Sequence, residues 1–121
     1  MKTILVADDE FDLTGTLRAI LEGEGYRVET CSNGREALEH MRAAAPDLVF
    51  LDVMMPVLGG VEALKAMRQV PALEAVPVVL MHAVPQTLPP DLPYQAFLRK
   101  PFSLDDLLAT VERQFGKSAD R

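Results

Sequence analysis

Thr3-Ile4-Leu5-Val6-Ala7-Asp8-Asp9-Glu10 (TILVADDE) is the stretch from which the rest of the chain can be read. Its first five residues run without polar alternation and include β-branched Thr3, Ile4 and Val6. That is the composition of a strand buried on both faces. The run stops on three acidic residues, and the hydrophobic period then changes. Leu13, Leu17, Ile20 and Leu21 fall on one helical stripe, which Gly23 and Gly25 bring to an end.

The same alternation continues downstream. Residues 26–31 (YRVETC) alternate and read as an outer strand. Ser32 or Asn33 can cap a second helix with Ala37, Leu38, Met41, Ala44 and Ala45 facing inward, stopped by Pro46. Residues 47–53 (DLVFLDV) form a second central strand, and a loop through Pro56, Gly59 and Gly60 leads to a helix with Val61, Leu64 and Met67 inward. Residues 76–81 (VPVVLM) give a third central strand, and residues 96–98 begin a fifth strand. The last helix carries Leu104, Leu107, Leu108, Val111 and Phe115, with Ser103 as its N-cap. Strands alternating with helices predict an α/β fold, a parallel sheet covered on both faces.

One segment breaks the rhythm. Residues 84–93 (VPQTLPPDLP) contain Pro85, Pro89, Pro90 and Pro93. A proline inside a helix removes a hydrogen bond and clashes, costing about 3 kcal/mol. The fourth helix is therefore expected to be short, irregular or absent. Residues 1–116 read as one domain and residues 117–121 as a polar tail.

Composition narrows the function. A chain of 121 residues, 49% apolar and 25% charged, fits one globular domain. The net charge of -6 argues against direct nucleic-acid binding, which needs a basic face. The single cysteine, Cys31, rules out an intramolecular disulfide and a cysteine-based zinc site, and reads as a small buried hydrophobe. The apolar run after Lys2 is too short for a signal peptide. No stretch approaches the ~20 apolar residues of a membrane span, so no membrane insertion and a cytoplasmic location are expected.

In an open parallel sheet, ligands bind beyond the carboxyl ends of the strands. Asp8 and Asp9 close the first strand, Asp52 sits near the end of the third, His82 follows the fourth and Lys100 the fifth. Singly, such residues are caps or solvated loop groups; Asp9 or Glu10 could merely favour a helix N-terminus through its dipole. Together they fall on one edge. Three carboxylates there repel unless neutralised. Oxygen ligands completed by water suit Mg²⁺, and a lysine opposite them suits a phosphate oxygen. Such a set can transfer a phosphoryl group, with a carboxylate as nucleophile.

Val6-Ala7-Asp8-Asp9-Glu10, Leu51-Asp52-Val53-Met54-Met55-Pro56 and Lys100-Pro101-Phe102 resemble, in order and spacing, the three signatures of response-regulator receiver domains, including chemotaxis-regulator-like single-domain receivers. The resemblance spans nearly the whole chain. It implies a flavodoxin-like, doubly wound five-stranded sheet of order 2-1-3-4-5. It implies that Asp52 is the phosphoacceptor, that Asp9 binds Mg²⁺ directly and Asp8 directly or through water, and that Met54 offers its backbone carbonyl to the metal. Lys100 would pair with the phosphoryl oxygens. The donor would be a histidine kinase, a phosphotransfer protein or a small acyl phosphate, and the output a downstream protein target. The domain would act on its own phosphoryl group only, not as an enzyme on other substrates. The Lys100-Pro101 bond is typically cis in this family.

Two departures stand out. His82 occupies the position where the family usually has Thr or Ser, whose hydroxyl turns inward to the phosphoryl group. Imidazole can also donate a hydrogen bond, but it is larger; a ring turned to solvent is the plain alternative. The proline-rich segment falls in what is usually the output face, next to Phe97 at the aromatic switch position. Met54 and Val84 are apolar where the family's flanking residues influence attacking water, which predicts slow self-dephosphorylation. An alternative is a receiver that has lost phosphorylation and acts by contact alone. A haloacid-dehalogenase-type phosphatase would want an Asp at position 54, and neither a dinucleotide nor a P-loop glycine motif is present.

Overall fold

The computed structural model describes the backbone of residues 1–119 and the side chains of residues 1–116. The chain runs β1 (Thr3–Ala7), α1 (Phe11–Gly23), β2 (Arg27–Cys31), α2 (Gly34–Ala43), β3 (Leu48–Asp52), α3 (Gly60–Met67), β4 (Val78–His82), β5 (Ala96–Arg99) and α4 (Leu104–Ala119). All neighbouring strands pair in parallel, in the order β2-β1-β3-β4-β5. This is the flavodoxin-like order that the resemblance implies.

The two-residue period of the strands divides the core. Ile4, Val6, Phe50, Val79 and Met81 face one side, against Leu17 and Leu21 of α1 and Leu107, Val111 and Phe115 of α4. Leu5, Ala7, Val49, Leu51 and Leu80 face the other, against Ala37, Leu38 and Met41 of α2 and Ala63, Leu64 and Met67 of α3. Both faces of the central strands are dry, which is why their sequences carry no polar alternation. Cys31 is buried as expected, and burial pushes its thiol up to about 12, keeping it protonated.

Where two N-caps were open for α2, the cap is Asn33, whose side chain accepts from the Glu36 amide at 2.9 Å. Ser103 caps α4, accepting from the Asp106 amide at 3.0 Å while Asp106 accepts in return from the Ser103 amide at 3.3 Å.

The structure corrects several positions. Ala44 and Ala45 lie outside α2 and are exposed, because the chain turns extended at Ala44, ahead of Pro46 and the residue it restricts. Leu104 is 51% exposed. It shares the angular stripe of Leu107, but it stands in the first turn, beside the loop edge of the sheet. Strand β4 starts later than residue 76 and ends on His82, so His82 is a strand residue rather than the start of a loop. The last helix continues to Ala119, three residues past Gly116; the remainder of the expected tail, residues 120–121, lies outside the described residues.

The proline-rich segment holds a single three-residue 3-10 turn, Pro85–Thr87, where a fourth long helix would stand. Leu88, Leu92, Tyr94 and Phe97 pack over the α2–α3 side of the core instead. Among the described residues, no helix is long and apolar enough to cross a membrane.

Candidate functional site

The loop edge of the sheet collects the residues singled out in the sequence. The register pairs Ala7 with Leu51, Asp52 with Met81 and His82 with Arg99. The ends of β1, β3, β4 and β5 therefore stand side by side, and Asp8, Asp52, His82 and Lys100 sit at those ends. Gly60 lets the loop after β3 fold back closely. A Cβ there would land on the carbonyl of Asp52, so only glycine fits.

One oxygen from each of Asp8, Asp9 and Asp52 can be chosen so that all three lie within 4.8 Å of one another. Asp8 and Asp52 are buried and Asp9 is exposed. Lys100 answers this charge. Its Nζ donates to Asp8 Oδ2 at 2.7 Å and to Glu10 Oε1 at 2.6 Å, and lies 3.1 Å from Asp52 Oδ1. The Lys100-Pro101 peptide is cis.

The electrostatics follow from this crowding. Burial pushes the Asp52 carboxyl up, neighbouring Asp8 adds to the push, and Lys100 pulls it back, leaving it at about 6. Burial alone would pull the Lys100 ammonium down. The hydrogen bonds to Asp8, Glu10 and Asp52 outweigh it, so the group is held above its ordinary value and stays charged. A dense anionic nest with one fixed cation and a partly desolvated carboxylate suits a divalent cation and an anionic substrate.

A cleft of about 620 Å³ opens over Asp52 and Lys100, and His82, Met54, Val84 and Thr87 also line it. The His82 side chain is half-buried and lines the open cleft. Its Nε2 lies 3.1 Å from Thr87 Oγ1, while that hydroxyl donates to the Val84 carbonyl at 2.8 Å. Phe97 is half-buried beside Tyr94, ring centroids 6.4 Å apart, away from the carboxylates on the α2–α3 side of the sheet.

Two residues of this site escaped the sequence reading. Glu10 looked like a helix-start charge, and its reach to Lys100 spans 90 positions of sequence. Thr87 lies in a segment whose prolines carried the only legible signal.

Comparison with known proteins points to one family. Residues 4–112 match the family model described as response regulator receiver domain. A transcriptional regulatory protein, a CpxR homolog of Haemophilus influenzae, is 39% identical over 98% of this chain and 52% of its own length. The chain thus spans about half the length of this curated relative. The chemotaxis response regulator CheY4 of Vibrio cholerae is 30% identical, with a TM-score of 0.88 over 94% of this chain and 98% of that one. The receiver domain of a sensor histidine kinase from Pseudomonas aeruginosa, solved with a magnesium ion coordinated in its active site cleft, is 26% identical, with a TM-score of 0.85 over 95% of this chain and 98% of that one.

Proposed function

The chain belongs to the response regulator receiver domain family of two-component systems, and on that premise we propose that Asp52 accepts a phosphoryl group and that its arrival switches the binding of a downstream protein. The observation that carries the proposal is the pairing of Asp52 with Lys100 at 3.1 Å, inside a cluster completed by Asp8 and Asp9.

An Asp52 carboxylate oxygen attacks the phosphorus of a phosphohistidine on a histidine kinase or phosphotransfer protein. A P–O bond forms, the P–N bond breaks, and the imidazole leaves with the electron pair and takes a proton. With acetyl phosphate the bond broken is P–O, and acetate leaves. Lys100 donates to the transferred oxygens. Asp8, Asp9, Asp52 and the backbone carbonyl of Met54 fit the oxygen donor set that Mg²⁺ prefers. When bound there, Mg²⁺ would offset the charge of the carboxylates and of the phosphoryl oxygens. Receiver domains are not classical enzymes; here the only substrate is the domain's own Asp52.

His82, the last residue of β4, takes the place of the usual hydroxyl, and its bond to Thr87 joins the site to the proline-rich segment. With a net charge of -6, the domain is proposed to act on proteins and not on nucleic acid directly. A contact-only receiver without phosphorylation is disfavoured by the carboxylate cluster: such a charge concentration is costly and serves no purpose in the absence of phosphoryl chemistry.

The test is incubation with acetyl phosphate and Mg²⁺, read by Phos-tag gel shift or mass spectrometry. A single Mg²⁺-dependent adduct is expected in wild type and none in Asp52→Ala. An adduct that persists in Asp52→Ala, or its absence from wild type, overturns the assignment.

A further inference from the structure

A lysine ammonium has three N–H donors and no acceptor. In Lys100 two are donated, to Asp8 at 2.7 Å and to Glu10 at 2.6 Å, and Asp52 Oδ1 stands 3.1 Å from the same nitrogen. A phosphoryl group on Asp52 brings three oxygens to the place where Lys100 now faces one, and any second contact to them competes with a carboxylate for an ammonium hydrogen. The three carboxylates are not equally replaceable. Asp8 is buried, and its other oxygen already accepts the Glu10 amide at 2.9 Å. Asp52 carries the incoming group. The Glu10 side chain is 61% exposed, so leaving Lys100 returns it directly to water.

The local structure makes the choice of Glu10 more telling. It is the N-cap residue of α1, yet its side chain makes no capping bond. A carboxylate at that place is ordinarily stabilised by the helix terminus. Here it turns instead to a lysine at the far end of the chain.

We propose that Glu10 is a positioning residue that acts through Lys100. It occupies, in the resting domain, the ammonium hydrogen that a phosphoryl oxygen will use, and its release is a step in phosphorylation. The proposal rests on the reading of Asp52 as acceptor. Its consequence is that Glu10 slows loading from small phosphodonors, because this ion pair competes with the transferred group for Lys100.

Two variants separate the contact from the charge. Glu10→Gln keeps the length and removes the charge. Glu10→Asp keeps the charge but is one methylene short of the ammonium. Initial rates of phosphorylation by acetyl phosphate are measured for both and for wild type. Half-saturation by beryllofluoride, a phosphoryl mimic, is followed in parallel by amide NMR shifts. Both variants should load about 2- to 5-fold faster and bind the mimic correspondingly tighter, the range set by an ion pair with one exposed partner. Damage to the fold would lower these values, so a gain is diagnostic.

Rates equal to or below wild type in both variants overturn the role of Glu10 while leaving Asp52 as acceptor intact. Acceleration in Glu10→Gln alone also overturns it, since the effect would then come from the field of the charge and not from the contact. A wild type that takes no phosphoryl group on Asp52 overturns the reading of the site and this proposal together.

Discussion

His82 Nε2 and Thr87 Oγ1, 3.1 Å apart, join the end of β4 to the short turn that replaces a helix. With the Thr87 hydroxyl donating to the Val84 carbonyl, its oxygen is left to accept from His82, an arrangement that favours a hydrogen on Nε2. Nitrogen-detected NMR of the neutral protein should show that tautomer. In Thr87→Val the tautomer preference should relax, and the amides of Thr87 and Leu88, which close the turn onto Val84 and Pro85, should exchange faster. Unchanged exchange would show that the His82–Thr87 bond does not hold the turn.

Asp52 makes the stability of the domain depend on pH. Its carboxyl is raised from an ordinary value of 3.8 to about 6, so the folded chain binds more protons than the unfolded chain between those two values. Folding is then increasingly penalised as pH rises through that window, and the penalty is complete above about 6. Asp52→Asn should stabilise the metal-free protein by about 1–3 kcal/mol at pH 7 and leave it nearly unchanged near pH 4. Added Mg²⁺ should raise the melting temperature of wild type more than that of the variant. Thermal denaturation at the two pH values, with and without the ion, checks all three expectations.

The parts of the molecule that the sequence made legible are those in which one residue's neighbours decide its state. The doubly buried runs of β1, β3 and β4 need nothing but dry faces. The four prolines between residues 84 and 93 forbid a long helix wherever they fall. Asp8, Asp9, Asp52 and Lys100 could be gathered because strand ends in a parallel sheet share an edge. Glu10 and Thr87 were not legible, since their roles depend on partners fixed only by the fold. Leu104 misled because periodicity gives an angle around the helix but says nothing of where the core ends along its axis. Arg68 gave no signal either, as every acceptor it finds but one is a backbone carbonyl.

That arginine is the clamp of the opposite edge. Its guanidinium donates to the carbonyls of Leu73, Glu74, Val76 and Pro93 and, at 2.9 Å, to Gln95 Oε1, which also accepts the Val78 amide at 2.7 Å. It thereby ties the end of α3 to the starts of β4 and β5. A lysine has the charge but not the planar fork. Arg68→Lys should cost about 1.5–3 kcal/mol in denaturant unfolding, as expected for lost bonds from a charged donor. Phosphorylation of Asp52 should proceed at nearly the wild-type rate under native conditions, because the clamp lies at the other end of the strands. A large loss of loading rate with no loss of stability would contradict this division.

With Asp52 as the proposed acceptor, the apolar side chains that line the cleft beside it should slow self-dephosphorylation. Met54 is 69% exposed and Val84 39%, and both present hydrocarbon to the cleft over Asp52, through which water would reach a phosphoryl group there. Neither can accept a hydrogen bond strong enough to orient that water. The phosphorylated state should therefore be long-lived, and a side chain able to hold the water should shorten it. Met54→Asn is expected to shorten the lifetime roughly 10-fold, equivalent to about 1.4 kcal/mol at the transition state. Because only the backbone carbonyl of Met54 belongs to the proposed metal site, the substitution should leave Mg²⁺ affinity close to wild type. Following the decay of the Phos-tag-shifted band after removal of acetyl phosphate measures the lifetime. A lifetime unchanged or lengthened in Met54→Asn would show that water alignment at this position does not limit hydrolysis.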